Sequence, residues 1–72
     1  MTNRVSPKSL LHSKWTRTKV QNKEKHFIIV EVEYDENQQV EKCVIEAVIN
    51  NNCYDINWRD LKQPAKWKQG WQ

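Results

Sequence analysis

Two runs rich in valine and isoleucine in the middle of the chain constrain its fold more than any other feature. The runs cover residues 26–34 and 40–49, and the polar residues 35–38 lie between them. β-Branched side chains pack well on a pleated sheet, whereas aspartate and asparagine favour turns because their side chains bond to nearby backbone. The pattern therefore predicts an antiparallel β-hairpin.

The register of this hairpin follows from a two-residue loop at residues 37–38. That loop places Val32 opposite Cys43 and pairs Glu33 with Lys42, an attractive cross-strand pair. A slip of one residue would move the valines and isoleucines to the other face of the sheet. The apolar pattern therefore specifies the register.

A second turn is predicted at residues 50–52, because asparagine tolerates the positive φ that tight turns need. With the loop at residues 51–52, Ile45 faces Trp58 on a third strand. The two hairpins place their apolar residues on one common face, which predicts a three-stranded meander. The residues of that predicted face are Ile28, Val30, Val32, Tyr34, Cys43, Ile45, Ala47, Ile49, Tyr54, Ile56 and Trp58.

The amino-terminal segment predicts a short helical turn followed by a further strand. Ser6 and Pro7 suit an N-cap and the first helical position. Residues 14–20 alternate polar and bulky side chains, which is typical of an exposed strand with Trp15 directed inward and Lys14 outward.

The carboxy-terminal segment predicts another helical turn. Pro64 can begin it, Trp67 and Trp71 are four residues apart and would share one side of it, and Gly70 suits its end. The chain is thus expected to be a single mainly β domain over residues 1–72. We expect a small antiparallel meander of three to four strands, able to curl toward a barrel, with short helical turns near both termini.

The charge of the chain is segregated along its length. The net charge is +3 with a pI near 9.0. Residues 1–25 hold seven basic residues and one acidic residue, residues 26–56 hold one basic and seven acidic, and residues 57–72 hold four basic and one acidic. The basic ends either fold over the acidic middle and neutralise it, or form one basic surface for an anionic partner.

Residue types that usually carry catalysis or bind cofactors are sparse. Gly70 is the one glycine, so glycine-rich phosphate loops are excluded. Cys43 falls on the predicted core face and Cys53 in the asparagine-rich turn, and neither has a predicted base partner. His12 and His26 have no further ligands at metal-binding spacing. We therefore expect no enzyme, no cofactor and no metal.

The start of the chain does not resemble a secretory signal. Residues 1–7 contain a basic residue but no apolar region follows it. The longest apolar run, residues 27–30, is far too short to span a bilayer. Cytoplasmic localisation without membrane attachment is expected, and the two cysteines do not form a disulfide framework.

Tryptophans interleaved with basic residues are the candidate contact surface. The chain has four tryptophans in 72 residues, and such aromatics suit stacking on bases along a phosphate backbone. They also suit a terminal segment that clamps over the sheet with its lysines in water. The candidate partner-binding residues are Trp15, Arg17, Lys19, Lys66, Trp67, Lys68 and Trp71. The expected function is a non-enzymatic binding or interaction module, monomeric or weakly homodimeric, with RNA, single-stranded DNA or another protein as its partner.

Four short blocks also resemble a known family. They are Asn3-Arg4-Val5-x-Pro7-Lys8-x-Leu10-Leu11-x-Ser13-Lys14-Trp15-Thr16, Asn22-Lys23-Glu24-Lys25-His26-Phe27, Trp58-Arg59-x-Leu61 and Trp67-x-x-Gly70-Trp71. Together they resemble the small tryptophan-rich bacterial proteins classed as a domain of unknown function. The resemblance spans almost the entire chain and includes all four tryptophans in its pattern. It implies no activity, substrate or partner.

Overall fold

The protein is an antiparallel β sheet with irregular segments packed on one side. The computed structural model describes residues 3–72; Met1 and Thr2, which begin the predicted domain, lie outside the described residues. The strands are β1 (Lys14–Gln21), β2 (Glu24–Tyr34), β3 (Val40–Ala47), β4 (Cys53–Asp55) and β5 (Trp67–Gln69). Two 3-10 helices cover Pro7–Ser9 and Trp58–Lys62. The predicted mainly β fold with short helical turns is confirmed.

The strands form one open sheet in the order β4-β3-β2-β1-β5. The first four strands make a meander, and β5 returns from the carboxy terminus to pair with β1. Asn22 and Lys23 join β1 to β2 with φ angles of 54° and 62°. Positive φ at both loop residues matches the right-handed twist of the flanking strands. The two strands are therefore joined by a tight two-residue hairpin turn.

The predicted pairing of β2 with β3 is confirmed at two positions in the middle of the hairpin, whereas beside the turn the register shifts and Tyr34 pairs with Val40, which contradicts the predicted two-residue loop. Val32 lies opposite Cys43 and Glu33 opposite Lys42. The Lys42 Nζ lies 3.8 Å from a carboxylate oxygen of Glu33, so the expected cross-strand ion pair forms.

Further along β2 the predicted face is wrong because the strand contains a β-bulge. The register shifts between Ile29 and Glu31, which leaves Val30 as the extra residue. Phe27 and Ile29 are consequently buried, whereas Val30 is 36% exposed. The prediction that Ile28 and Val30 contribute to the core is therefore wrong, since one inserted residue exchanges the two faces of the strand.

The connection from β3 to β4 is longer than the predicted two-residue loop. It spans residues 48–52 and places Tyr54, rather than Trp58, opposite Ile45. Ile49 lies in this connection and is 61% exposed, which contradicts its predicted place on the apolar face. Trp58 begins the second 3-10 helix and packs, partly buried, against the core from outside the sheet.

The core lies between one face of the sheet and the segments that precede β1 and β5. Its buried apolar residues are Leu10, Trp15, Phe27, Ile29, Cys43, Ile45, Ala47, Leu61 and Trp67. Asn3 fixes the amino-terminal segment to this layer, because its side-chain amide donates to the carbonyl oxygens of Leu61 and Trp67, each at 2.8 Å. We call this side of the sheet the core face.

The predicted helical turn carrying both terminal tryptophans is wrong. Residues 67–69 are a strand paired with β1, and Gly70 follows with φ of 77°. Trp67 enters the core, whereas Trp71 comes after the glycine turn and contacts His26 on the opposite side of the sheet. The strand is preferred because β5 satisfies backbone groups that the edge of β1 would otherwise leave unpaired.

Candidate functional site

The two basic ends of the chain become neighbours in the sheet. β1 comes from the first basic segment and β5 from the last, and they are adjacent strands. β3 and β4, which come from the acidic middle, lie at the other side of β2. The edge of the sheet formed by β1 and β5 is therefore basic, and the edge formed by β3 and β4 comes from the acidic part of the sequence.

Two of the predicted contact residues are part of the core. Trp15 is 2% exposed, and its indole NH donates to the Ser13 hydroxyl at 2.9 Å. Trp67 is 7% exposed and meets Phe27 edge to face, with ring centroids 5.2 Å apart at 83°. This geometry suits the quadrupoles of the two rings. Neither indole has a free face on which a base could stack.

Four of the predicted residues, Arg17, Lys19, Lys66 and Trp67, line one groove at the end of β1. The groove, which we call the basic groove, also includes other residues from β1, the second 3-10 helix and the segments beside it: Thr18, Ile56, Asp60 and Ala65. The Thr18 amide donates to the Lys66 carbonyl at 3.0 Å, which fixes the two walls against each other.

The cations of the basic groove take no part in the ion pairs found among residues 3–72. Within residues 3–72, the ion pairs join Lys42 to Glu31 at 3.5 Å and to Glu33 at 3.8 Å. None of these residues lines the groove, where Asp60 is the one carboxylate. The Arg17 guanidinium lies 5.9 Å from the Trp67 ring centroid, a distance at which the ring face attracts a cation.

Trp71 lies on the other side of the sheet, which we call the open face. The indole is 44% exposed, and its NH donates to the Phe27 carbonyl at 2.9 Å. The Lys14 ammonium sits 4.7 Å from its ring centroid, and the His26 ring is 6.0 Å away. Lys68 follows the buried Trp67 on β5. Because successive residues of a strand point to opposite faces, Lys68 shares the open face. The predicted contact residues are therefore divided between the two sides of the sheet.

Trp58 was expected on the core face, and neither it nor Arg59 was among the predicted contact residues. The Lys62 ammonium lies 4.9 Å and the Arg59 guanidinium 5.9 Å from the ring centroid of Trp58. The spacing of Trp58 and Lys62, four residues apart, is the sequence feature that could have indicated this contact. Cations therefore occupy the exposed aromatic surface here as they do at Trp71.

Glu24 is a buried carboxylate with a structural role. It is 2% exposed and accepts hydrogen bonds from the side chains of Asn50 at 2.8 Å, Asn52 at 3.1 Å and Tyr54 at 2.9 Å. The Asn50 hydrogen bond is the main cause that lowers the pKa of Glu24, against the opposing effect of burial. This cluster anchors the connection before β4. Its neighbours along the chain, Lys23 and Lys25, are charged, so the local sequence gives no indication of its burial.

The two cysteines lie in different environments, and the pKa of each thiol is raised. Burial raises the pKa of the Cys43 thiol to about 11. Partial desolvation and a hydrogen bond to Glu46 raise the pKa of Cys53. A raised pKa disfavours the thiolate, which is the nucleophilic form. Across residues 3–72 no three histidine, cysteine, aspartate or glutamate side chains cluster as metal ligands.

None of the helices formed by residues 3–72 is long and apolar enough to cross a membrane.

Comparison with known proteins identifies the family. No curated protein and no solved structure matches the chain. The family described as "Tryptophan-rich protein (DUF2389)" matches residues 13–72, a range that includes all four tryptophans and every strand. The chain therefore belongs to the tryptophan-rich DUF2389 family.

Proposed function

We propose that this protein is a non-enzymatic binding module whose basic groove holds the phosphate backbone of single-stranded RNA or DNA. The observation that carries the proposal is the convergence of Arg17, Lys19 and Lys66 on one groove. Phosphate contacts from arginine and lysine supply most of the affinity in sequence-independent binding. A single strand can enter a groove between two chain segments, whereas a duplex would contact only its rim.

In this proposal the tryptophans do not provide the surface for base stacking that the sequence led us to expect. Trp15 and Trp67 are buried, and Lys14 occupies the ring face of Trp71. Base stacking, which usually adds to single-strand affinity, is therefore a minor contribution. The proposed binding depends on charge and has little preference for one base over another.

The salt dependence of binding follows from the number of phosphate contacts. Each contact to a single strand contributes a slope of about −0.7 to log K against log salt. The three groove cations therefore predict a slope of about −2. Raising the salt from about 50 to 200 mM should weaken binding roughly twentyfold.

Fluorescence anisotropy of a labelled thymidine oligonucleotide, titrated at several salt concentrations, tests this proposal. Lys19→Gln and Lys66→Gln should each weaken binding and make the slope shallower by about 0.7, because each removes one phosphate contact. Lys8→Gln is the matched control, since Lys8 is exposed in the first 3-10 helix and does not line the groove. The absence of binding at low salt, or an equal effect of the control, would contradict the proposal.

A further inference from the structure

The basic groove contains a feature that phosphate binding alone does not explain. Three cations line the groove, but the carboxylate of Asp60 lines it as well. We infer that Asp60 accepts a hydrogen bond from a ribose 2′-hydroxyl, so that the groove prefers single-stranded RNA to DNA. This inference rests on the proposed function, because the hydroxyl belongs to a strand whose phosphates the groove already holds.

The second 3-10 helix fixes the position of Asp60. The Asp60 amide donates to the Asn57 carbonyl at 2.9 Å, and the Asp60 carbonyl accepts from the Gln63 amide at 3.1 Å. The next residue, Leu61, is fully buried in the core. Asp60 itself is half-buried and lines the groove. The backbone that carries this carboxylate is therefore held in place before any ligand binds.

The Asp60 carboxylate is the anionic acceptor that a ligand in the groove would meet. Both ion pairs found among residues 3–72 involve Lys42, so neither of them uses Asp60. Two carbonyl groups of the groove wall already accept hydrogen bonds, because Thr18 donates its amide to Lys66 and its hydroxyl to Ala65. The arginine, lysine and tryptophan side chains of the groove can only donate.

A nucleic-acid backbone offers one kind of hydrogen-bond donor to a carboxylate. Its phosphate and ring oxygens only accept, and a carboxylate repels the phosphates of RNA and DNA alike. The ribose 2′-hydroxyl can donate, and it is the group by which a protein distinguishes RNA from DNA. A hydrogen bond to a charged acceptor is roughly twice as strong as a neutral one. With RNA this bond offsets the repulsion, whereas with DNA the repulsion is uncompensated.

The lining and the size of the groove suit a sugar–phosphate unit. Arg17 and Lys19 lie on β1 and Lys66 directly precedes β5, whereas Asp60 comes from the second 3-10 helix. The cavity has a volume of about 500 Å³, which is within the range of sites that enclose small organic ligands. Phosphate contacts and the hydroxyl contact thus come from different segments, so a unit lying between them can reach both.

Fluorescence anisotropy with labelled octamers that share one base tests the inference at one low salt concentration. The probes are uridine, 2′-deoxyuridine and 2′-fluorouridine octamers, because the fluorinated sugar favours the RNA pucker but cannot donate a hydrogen bond. The wild-type protein should bind the uridine octamer roughly tenfold more tightly than either other probe, as expected for a hydrogen bond to a charged group. Asp60→Ala should bring the three affinities together, because the hydroxyl loses its acceptor and the other probes lose the repulsion.

Glu36→Ala is the matched control, because it removes one exposed carboxylate in the connection between β2 and β3 and leaves the groove lining unchanged. It should keep the preference for the uridine octamer. Circular dichroism confirms that each variant is folded, and the comparison of the three sugars on the wild-type protein needs no variant.

Three results would overturn the inference. Equal binding of the uridine and 2′-deoxyuridine octamers would do so while leaving the proposed function intact. A 2′-fluorouridine octamer that binds as tightly as the uridine octamer would assign the preference to sugar pucker. An unchanged preference in Asp60→Ala would limit Asp60 to a structural role in the helix. Absence of binding to all three octamers would contradict the proposed function and the inference together.

Discussion

The burial of Trp67 leads to a quantitative prediction that distinguishes a core tryptophan from a surface one. Trp67 is 7% exposed and meets Phe27 edge to face, whereas Trp71 is 44% exposed on the open face. The two residues are four positions apart in the same terminal segment. Trp67→Ala and Trp71→Ala therefore form a matched pair.

The magnitudes follow from what each ring contacts. Removal of a buried tryptophan costs about 3–5 kcal/mol, of which about 0.5–1.5 kcal/mol comes from an edge-to-face pair. A domain of this size has a net stability of only about 3–5 kcal/mol. Trp71→Ala removes a hydrogen bond worth about 0.5–1.5 kcal/mol and a cation–π contact worth about 0.5–1 kcal/mol. Trp67→Ala should thus be largely unfolded, while Trp71→Ala should keep a measurable transition.

Urea unfolding followed by far-UV circular dichroism measures the difference without relying on the removed fluorophores. Trp67→Phe supplies an intermediate variant, because phenylalanine can keep the edge-to-face contact while leaving part of the indole volume empty. The expected order of midpoints is wild type, Trp71→Ala, Trp67→Phe and then Trp67→Ala. If Trp67→Ala were as stable as Trp71→Ala, the packing of Trp67 in the core would be refuted.

Two further predictions concern titratable groups. The pKa of Glu24 is lowered, so its contribution to stability is fully present above the ordinary carboxyl value of 4.5 and is lost as pH falls through the folded pKa. Thermal melts should therefore show wild-type stability falling below about pH 5, and Glu24→Gln should be less stable at neutral pH and less sensitive to acid. Cys53 is exposed and Cys43 buried, so a thiol reagent should label Cys53 in the folded protein and Cys43 only after unfolding. Equal labelling rates in the folded state would contradict this placement.

The sequence predicts the register of the β2–β3 hairpin correctly only over a short stretch, between one irregularity beside the turn and the bulge at Val30. The pairing of Val32 with Cys43 follows from the alternation of apolar and charged residues over a few positions, which the sequence contains. The bulge at Val30 depends on how the strand must bend to pack Phe27 and Ile29 against the other core segments. That requirement is tertiary, and the run from Phe27 to Val30 is apolar on both faces, so alternation could not detect it.

The carboxy terminus shows the same limit more strongly. The four-residue spacing of Trp67 and Trp71 matches a helical turn, but Gly70 between them permits a reversal to the other face of the sheet. Strand pairing at residues 67–69 requires the edge of β1, which lies about fifty residues earlier in the chain. A local pattern contains no information about that partner. The segregation of charge along the chain, in contrast, is preserved in the sheet, because β1 and β5 come from the two basic ends and are adjacent strands.

The alternation of side chains along β1 explains how one basic strand can serve two surfaces. Arg17 lies opposite the buried Trp67 on β5 and lines the basic groove. Lys14 lies opposite Ile28 on β2, and both residues are on the open face. Successive residues of a strand point to opposite faces, so the positive charge of this segment is divided rather than pooled. Substitutions of Lys14 and of Lys19 should therefore have different effects on binding in the basic groove. Because Lys19 lines the groove and Lys14 contacts Trp71 on the opposite side, Lys19→Glu should weaken oligonucleotide binding, whereas Lys14→Glu should change it much less.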